Sequence, residues 1–173
     1  ASGTHSSTIT LTSGSYTKTV NVTAVVTTPP LEFEEVWNFS ETTGVNKSWT
    51  TDKTKMRNMC FGDGKLFVVD TETATITIVD AYSGEQTGTV NTEGVDGGAV
   101  KLMDVKYVDG KLLATNLATA GTSSSLPLKV YVWENGVDAA PSVLLSTSQV
   151  GEYNRIGDTF SIKGNLTNGA ICY

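Results

Sequence analysis

The sequence predicts an all-β chain dominated by antiparallel four-stranded repeats of a β-propeller, and three observations carry that reading. Gly62-Asp63-Gly64-Lys65-Leu66-Phe67-Val68-Val69-Asp70 is echoed 46 positions later by Val108-Asp109-Gly110-Lys111-Leu112-Leu113-Ala114-Thr115-Asn116. A looser copy, Ile156 to Lys163, follows after a further 48 positions when Phe160 is matched to Leu112. A period in the forties with short strands inside each unit is the mark of a propeller blade. Next, charged residues make up only 17% of the chain, and hydroxyls replace them: 27 threonines and 15 serines. Threonine is β-branched and suits a half-exposed pleated surface. Finally, apolar residues alternate with period two, and helical spacing is nearly absent. A single β-sandwich is the alternative architecture.

Taken in order, residues 1–28 form a distinct segment in which half the positions are Ser or Thr and Lys18 is the sole charged side chain. Ser7 to Thr12 and Tyr16 to Val25 alternate, and Ser13-Gly14-Ser15 supplies a hairpin loop between them. Such a two-stranded ribbon is marginal alone and needs a sheet to join. Thr27-Thr28-Pro29-Pro30 reads as a stiff extended linker, because proline fixes φ and lacks a donor. Leu31 to Trp37 follows as a leading strand, then a polar loop over 39–55.

The first repeat divides into strands Arg57–Phe61, Lys65–Asp70, Ala74–Asp80 and Glu85–Val90, separated by Gly62-Asp63-Gly64, Thr71-Glu72-Thr73 and Tyr82-Ser83-Gly84. The second gives Asp104–Val108, Lys111–Asn116, Leu128–Glu134 and Ser142–Ser146. Its Asn135-Gly136 pair fits a type I′ hairpin, since both residues tolerate positive φ. Leu66 to Val69 and Val130 to Trp133 are apolar on both faces, as stacking between blades requires. The third repeat begins at Tyr153, runs through Thr159–Gly164 and the Asn168-Gly169 turn, and is incomplete. About two and a half blades do not close a ring of four or more, so either the chain is cut from a longer propeller or the strands form another architecture.

Here the residues resemble known proteins. The threonine-rich ribbon Ile9–Val26, ahead of a proline linker, looks like the closing strands of a bacterial Ig-like β-sandwich. The GDGKLFVVD-type repeats resemble blades of propeller-like domains that follow such modules in secreted Bacteroidota surface proteins of unknown function. Those are commonly surface lipoproteins of glycan-use gene clusters. The resemblance covers 1–28 and 56–173. It implies closing Ig-like strands at 1–28, a linker and leading strand at 29–55, and propeller-like repeats at about 56–100, 101–150 and 151–173. It implies a secreted or outer-surface location and transfers no functional residue.

Composition narrows function further. The formal charge is −6 and no basic run occurs, which argues against nucleic acid and anionic membrane as partners. No stretch approaches the roughly 20 apolar residues of a membrane span. The first residue is Ala and no signal peptide is visible, as expected of a mature or truncated product. Cys60 and Cys172 are too few for a disulfide framework and wrongly spaced for zinc. They read as buried thiols, with a bond between them left open.

Chemistry-bearing patterns are sparse. The single histidine, His5, stands in a Ser-rich tail expected to fray, which argues against a Ser–His–Asp or Cys–His nucleophile. Glu32, Glu34, Glu35, Asp63, Asp70, Asp80, Asp109 and Asp158 could supply the paired carboxylates of glycoside hydrolysis, but most of the aspartates sit where they would cap turns. Gly94 to Gly98 offers one carboxylate, fails the calcium-loop pattern and reads as a flexible inter-blade loop. No phosphate loop qualifies.

Among the aromatics, Trp37 and Trp49 flank a polar loop and are the candidate binding residues, as glycan platforms or as packing. Tyr131 and Trp133 read as core. The loop Leu117–Pro127 is longer than its first-repeat counterpart and reads as a tolerated insertion with a binding role as the alternative. Sequons at Asn21, Asn38, Asn46 and Asn165 are near what a threonine-rich chain holds by chance. The expected function is a non-catalytic, secreted or cell-surface binding module for a glycan or protein. No catalytic residue, metal or cofactor is assigned. The alternatives are a fragment of a propeller-type carbohydrate-active or lactonase-like enzyme, and a structural stalk.

Overall fold

The computed structural model describes residues 3–27, 33–38, 49–50, 55–119, 126–149 and 154–172. Among these the chain is all-β, with antiparallel sheets, no helix and no sheet closed into a barrel. It divides into two compact units, 1–35 and 36–173.

The first unit is a hairpin of β1 (Gly3–Ser13) and β2 (Tyr16–Val26), paired from Gly3↔Val26 to Ser13↔Tyr16. His5 lies in this ladder opposite Ala24, so the expected fraying gives way to regular pairing. Alternation puts Ile9, Leu11, Tyr16, Val20, Val22 and Val26 on one face, all exposed. The other face is a run of hydroxyls, with Ser6 meeting Thr23 and Thr8 donating to Asn21. Residues 33–38 pair with no strand. The leading strand expected over 31–37 is therefore not formed in its described part: Phe33 and Val36 lie exposed, with no ladder to hold them extended.

The second unit opens with β3 (Met56–Gly62), β4 (Lys65–Asp70), β5 (Thr75–Asp80) and β6 (Gln86–Thr89), an up-and-down meander in sequence order. A second meander follows: β7 (Val100–Val108), β8 (Lys111–Thr119), β9 (Leu128–Trp133) and β10 (Ser142–Thr147). The short β11 (Arg155–Ile156) adds to the far end of β8 through Ala118 and Thr119. A hairpin of β12 (Ile162–Asn165) and β13 (Gly169–Cys172) ends the described chain.

The repeated Asp-Gly pairs make the two matching turns. Asp63 and Gly64 have φ of 52° and 69°, and Asp109 and Gly110 have 51° and 76°. Both central residues at positive φ is the type I′ geometry that follows the strand twist. Asn135-Gly136 does not repeat this: only Gly136 has positive φ, and β10 starts six residues later at Ser142. Phe160 corresponds to Leu112 by sequence, yet the third-repeat strand begins at Ile162, because Phe160 serves as a plug. It inserts beside Leu113, Val130 and Val132.

The two meander sheets are layered, and each carries apolar packing on both faces. Phe67, Val69, Ile76 and Ile78 of the first sheet meet Leu102, Val105, Leu112, Ala114, Tyr131 and Trp133 of the second. Trp49, Val68 and Val79, with Trp37, Met56 and Leu66 partly buried, cover the outer face of the first sheet. Phe160, Ile162 and Leu166 cover the outer face of the second. Apolar residues on both faces of β4, β8 and β9 follow from this layering, and Tyr131 and Trp133 are each 1% exposed. Close approach fixes some small residues: a Cβ on Gly62 would lie 2.1 Å from the Tyr107 ring.

Candidate functional site

The first strands of the two meanders carry equivalent irregularities. Pairing shifts between Met56 and Met59 on β3 and between Val100 and Asp104 on β7. A bulge re-aims side chains and here turns polar groups across the sheet boundary. Asn58 Nδ2 donates to Met103 O at 2.8 Å and to Asp158 O at 3.2 Å. Asp104, 46 positions on, is 0% exposed. Its Oδ2 accepts from Thr159 Oγ1 at 2.8 Å and from the Phe160 amide at 3.0 Å. Lys106 Nζ donates to the same oxygen at 2.6 Å and lies 5.4 Å from the Phe160 ring centroid. The charge of Asp104 is thus fully solvated by protein, which burial requires.

Asp158 completes this junction of β3, β7 and the segment after β11. Arg155 grips it in a fork, Nε to Oδ2 at 2.6 Å and Nη2 to Oδ1. Those bonds, with a further attraction from Arg57, hold the Asp158 carboxyl below the usual carboxylate range, and they push Arg155 up. Arg57 and Arg155 are the chain's two arginines, 98 positions apart. On the same strand as Arg57, Cys60 packs toward the core between the sheets, and its thiol is pushed up to about 12, by burial first, against a lowering by Lys106. Such a thiol is a small hydrophobe rather than a nucleophile. Among the described residues no group of three or more His, Cys, Asp or Glu could hold a metal ion.

The two tryptophan candidates lie elsewhere, on the turn after β5. Trp37 Nε1 donates to Ala81 O and Trp49 Nε1 to Gly84 O, both at 2.8 Å. Asp80 shapes that turn by accepting from the Tyr82 and Ser83 amides, which lowers its pKa together with the Ser83 hydroxyl. Gly84 sits against the Trp37 indole, with φ of 70° and an added Cβ 2.6 Å from the ring. Trp49 is 5% exposed and Trp37 is half-buried, so stacking surface remains on Trp37. The polar loop between them lies outside the described residues.

Other candidates have defined places. Asp70 accepts from the Glu72 and Thr73 amides, and Asp109 from Leu166 N. The segment expected to be a flexible loop, Gly94 to Gly98, is pinned: Tyr131 Oη donates to Asp96 O at 2.6 Å, and Lys129 pairs with the Asp96 carboxylate. The loop 117–127 is shorter than expected because β8 runs on to Thr119, and residues 120–125 lie outside the described chain. Asn116 permits that extension by using its buried amide on Pro127 O and Lys129 N. Cys60 and Cys172 are free thiols, and Cys172 is exposed rather than buried. The four residues missed by sequence reasoning are Arg57, Asn58, Asp104 and Arg155. The one available signal was the equivalence of Asn58 and Asp104 in the repeat.

Comparison with known proteins bears on the fold. No family model matches the sequence, and no curated protein does. The chain is similar in structure to a DUF4623 family protein from Bacteroides eggerthii, with a TM-score of 0.56 and 19% identity. The match covers 91% of this chain and 38% of that one, so the chain spans well under half of its neighbour's length. At this identity the likeness shows the fold alone. No helix among the described residues is long and apolar enough to cross a membrane.

Proposed function

We propose that the chain is a non-catalytic binding module of a secreted or outer-surface Bacteroidota protein, with a glycan or protein ligand. In this reading residues 1–28 are closing strands of an Ig-like domain, 29–55 a linker, and 56–173 stacked blades of a propeller-like domain. Sequential meanders, apolar packing on both faces of the two meander sheets and the repeated polar ties support blades over a sandwich, whose sheets leave one face to solvent. The DUF4623 likeness supports a Bacteroidota origin as analogy.

One observation carries the binding reading. Three successive segments meet at an exposed junction that gathers both arginines, while the strand-end aspartates Asp70, Asp80 and Asp109 are committed to turns. Trp37 is the proposed aromatic contact, with Trp49 supporting the same turn from the core. Affinity electrophoresis of the full chain in a panel of polysaccharides, with a reducing-sugar assay on the same mixtures, tests it. Retardation without reducing-end release supports a binding module. Release of product supports the enzyme alternative, and no retardation in any polysaccharide removes the glycan ligand.

A further inference from the structure

We propose that the junction of β3, β7 and the segment after β11 binds an anionic group carried by a glycan, a uronate carboxylate or a sulfate ester, between Arg57 and Arg155. The inference rests on the binding reading above and names the ligand class of its site.

The charge distribution is the first argument. The chain carries −6 overall, yet the junction gathers Arg57, Lys106 and Arg155 against Asp104 and Asp158, three positive groups and two negative. A net cationic spot on an acidic protein concentrates anions locally and repels them elsewhere. The kind of cation is the second. Of twelve basic residues only two are arginine, and both stand here. A guanidinium presents a planar fork of donors that matches a carboxylate or a sulfate, where lysine offers a point charge.

The third argument is that the junction already holds a carboxylate. Arg155 takes Asp158 in a fork, which fixes its plane, and both side chains stay about half exposed, at 52% and 45%. Asn58 holds the Asp158 backbone from β3, the strand that carries Arg57. The Arg57 side chain is exposed and makes no hydrogen bond or ion pair to another described residue. Arg155 is engaged with Asp158 while Arg57 feels that carboxylate only through longer-range attraction, so an incoming anion has a free guanidinium open to it. Lys106 contributes little, because Asp104 holds its ammonium over Phe160.

The test uses the full chain against polygalacturonate, dextran sulfate and neutral dextran at low ionic strength, by titration calorimetry. Binding to either acidic polymer but not to dextran is expected, weakening as salt is added. Preference between the two polymers separates uronate from sulfate. Arg57→Ala should lower affinity about tenfold, with an unchanged melting temperature as the fold control. Asp158→Asn should raise affinity severalfold by releasing Arg155 from its fork and removing a competing negative charge, whereas a purely structural ion pair would give no gain. Equal binding to dextran and the acidic polymers, or an Arg57→Ala protein that binds as wild type, overturns this inference and leaves the glycan-binding reading standing. No binding to any of the three polymers overturns the inference, and a blank polysaccharide panel would then remove the glycan-binding reading too.

Discussion

Asn58 and Asp104 occupy the same place in successive repeats, and each reaches forward into the segment that follows. Asn58 donates to the backbone at Met103 and Asp158, and Asp104 accepts from Thr159 and Phe160. The first tie spends a neutral amide at a half-buried position. The second buries a full charge between two sheets, where a missing partner is costly.

Asp104→Ala is therefore the most damaging single change expected in the second unit. It leaves Lys106, Thr159 Oγ1 and two amides without their acceptor, at a cost of about 3 kcal/mol, the lower end for a buried pair because Lys106 is partly exposed. Urea denaturation of wild type and variant measures the loss.

The Trp49 indole fills the outer face of the first sheet at 5% exposure. Trp49→Ala should cost about 3–5 kcal/mol through cavity formation and loss of the bond to Gly84 O. Trp37→Phe keeps most of the area and removes one donor to Ala81 O, for about 1 kcal/mol. Thermal melts of the two variants should rank in that order.

The thiols should react at very different rates. With a pKa near 12, Cys60 is thiolate in only about one molecule in 10,000 at pH 8, and it is partly buried. Cys172 is exposed, although burial of its sulfur also raises its pKa. Native protein treated with a thiol-specific alkylating agent should label at Cys172 first, and at Cys60 only after unfolding, as read by peptide mass spectrometry.

Stability should show a plateau bounded on both sides. Asp80, Asp96 and Asp158 have folded pKa values below 3.8, so the stability they add is present above that value and is lost as pH falls through their folded values. Cys60 has a raised folded pKa, so its contribution is complete below 9.0 and is lost as pH rises toward about 12. Tyr107 and Tyr131 act in the same direction above 10.0. Melting temperature against pH checks both limbs.

The repeat was legible because its signals are local. Asp63-Gly64 and Asp109-Gly110 mark turns, and Leu66 to Val69 marks a strand covered twice, each signal lying inside one nine-residue stretch of its repeat. The additions to β7 and β8 were not, because Asp104 and Asn116 are polar and read as strand ends, whereas each is buried with its bonds made by distant residues. The same distance hid the junction: Arg57 and Arg155 are far apart in sequence, and only packing brings Arg57 close enough to influence the Asp158 that Arg155 grips. Asn135-Gly136 misled because a favourable turn pair does not by itself bring the flanking strands together, and β10 pairs with β9 only from Ser142 onward.

The account turns on the inter-repeat tie, and hydrogen exchange at one amide tests it most directly. Phe160 lies outside any strand, and its N–H is held by the buried carboxylate of Asp104 at 3.0 Å. The account predicts an exchange rate at Phe160 as slow as that of the β8 ladder. Exchange at the rate of an unstructured peptide would contradict it and leave the segment after β11 unattached to the second sheet.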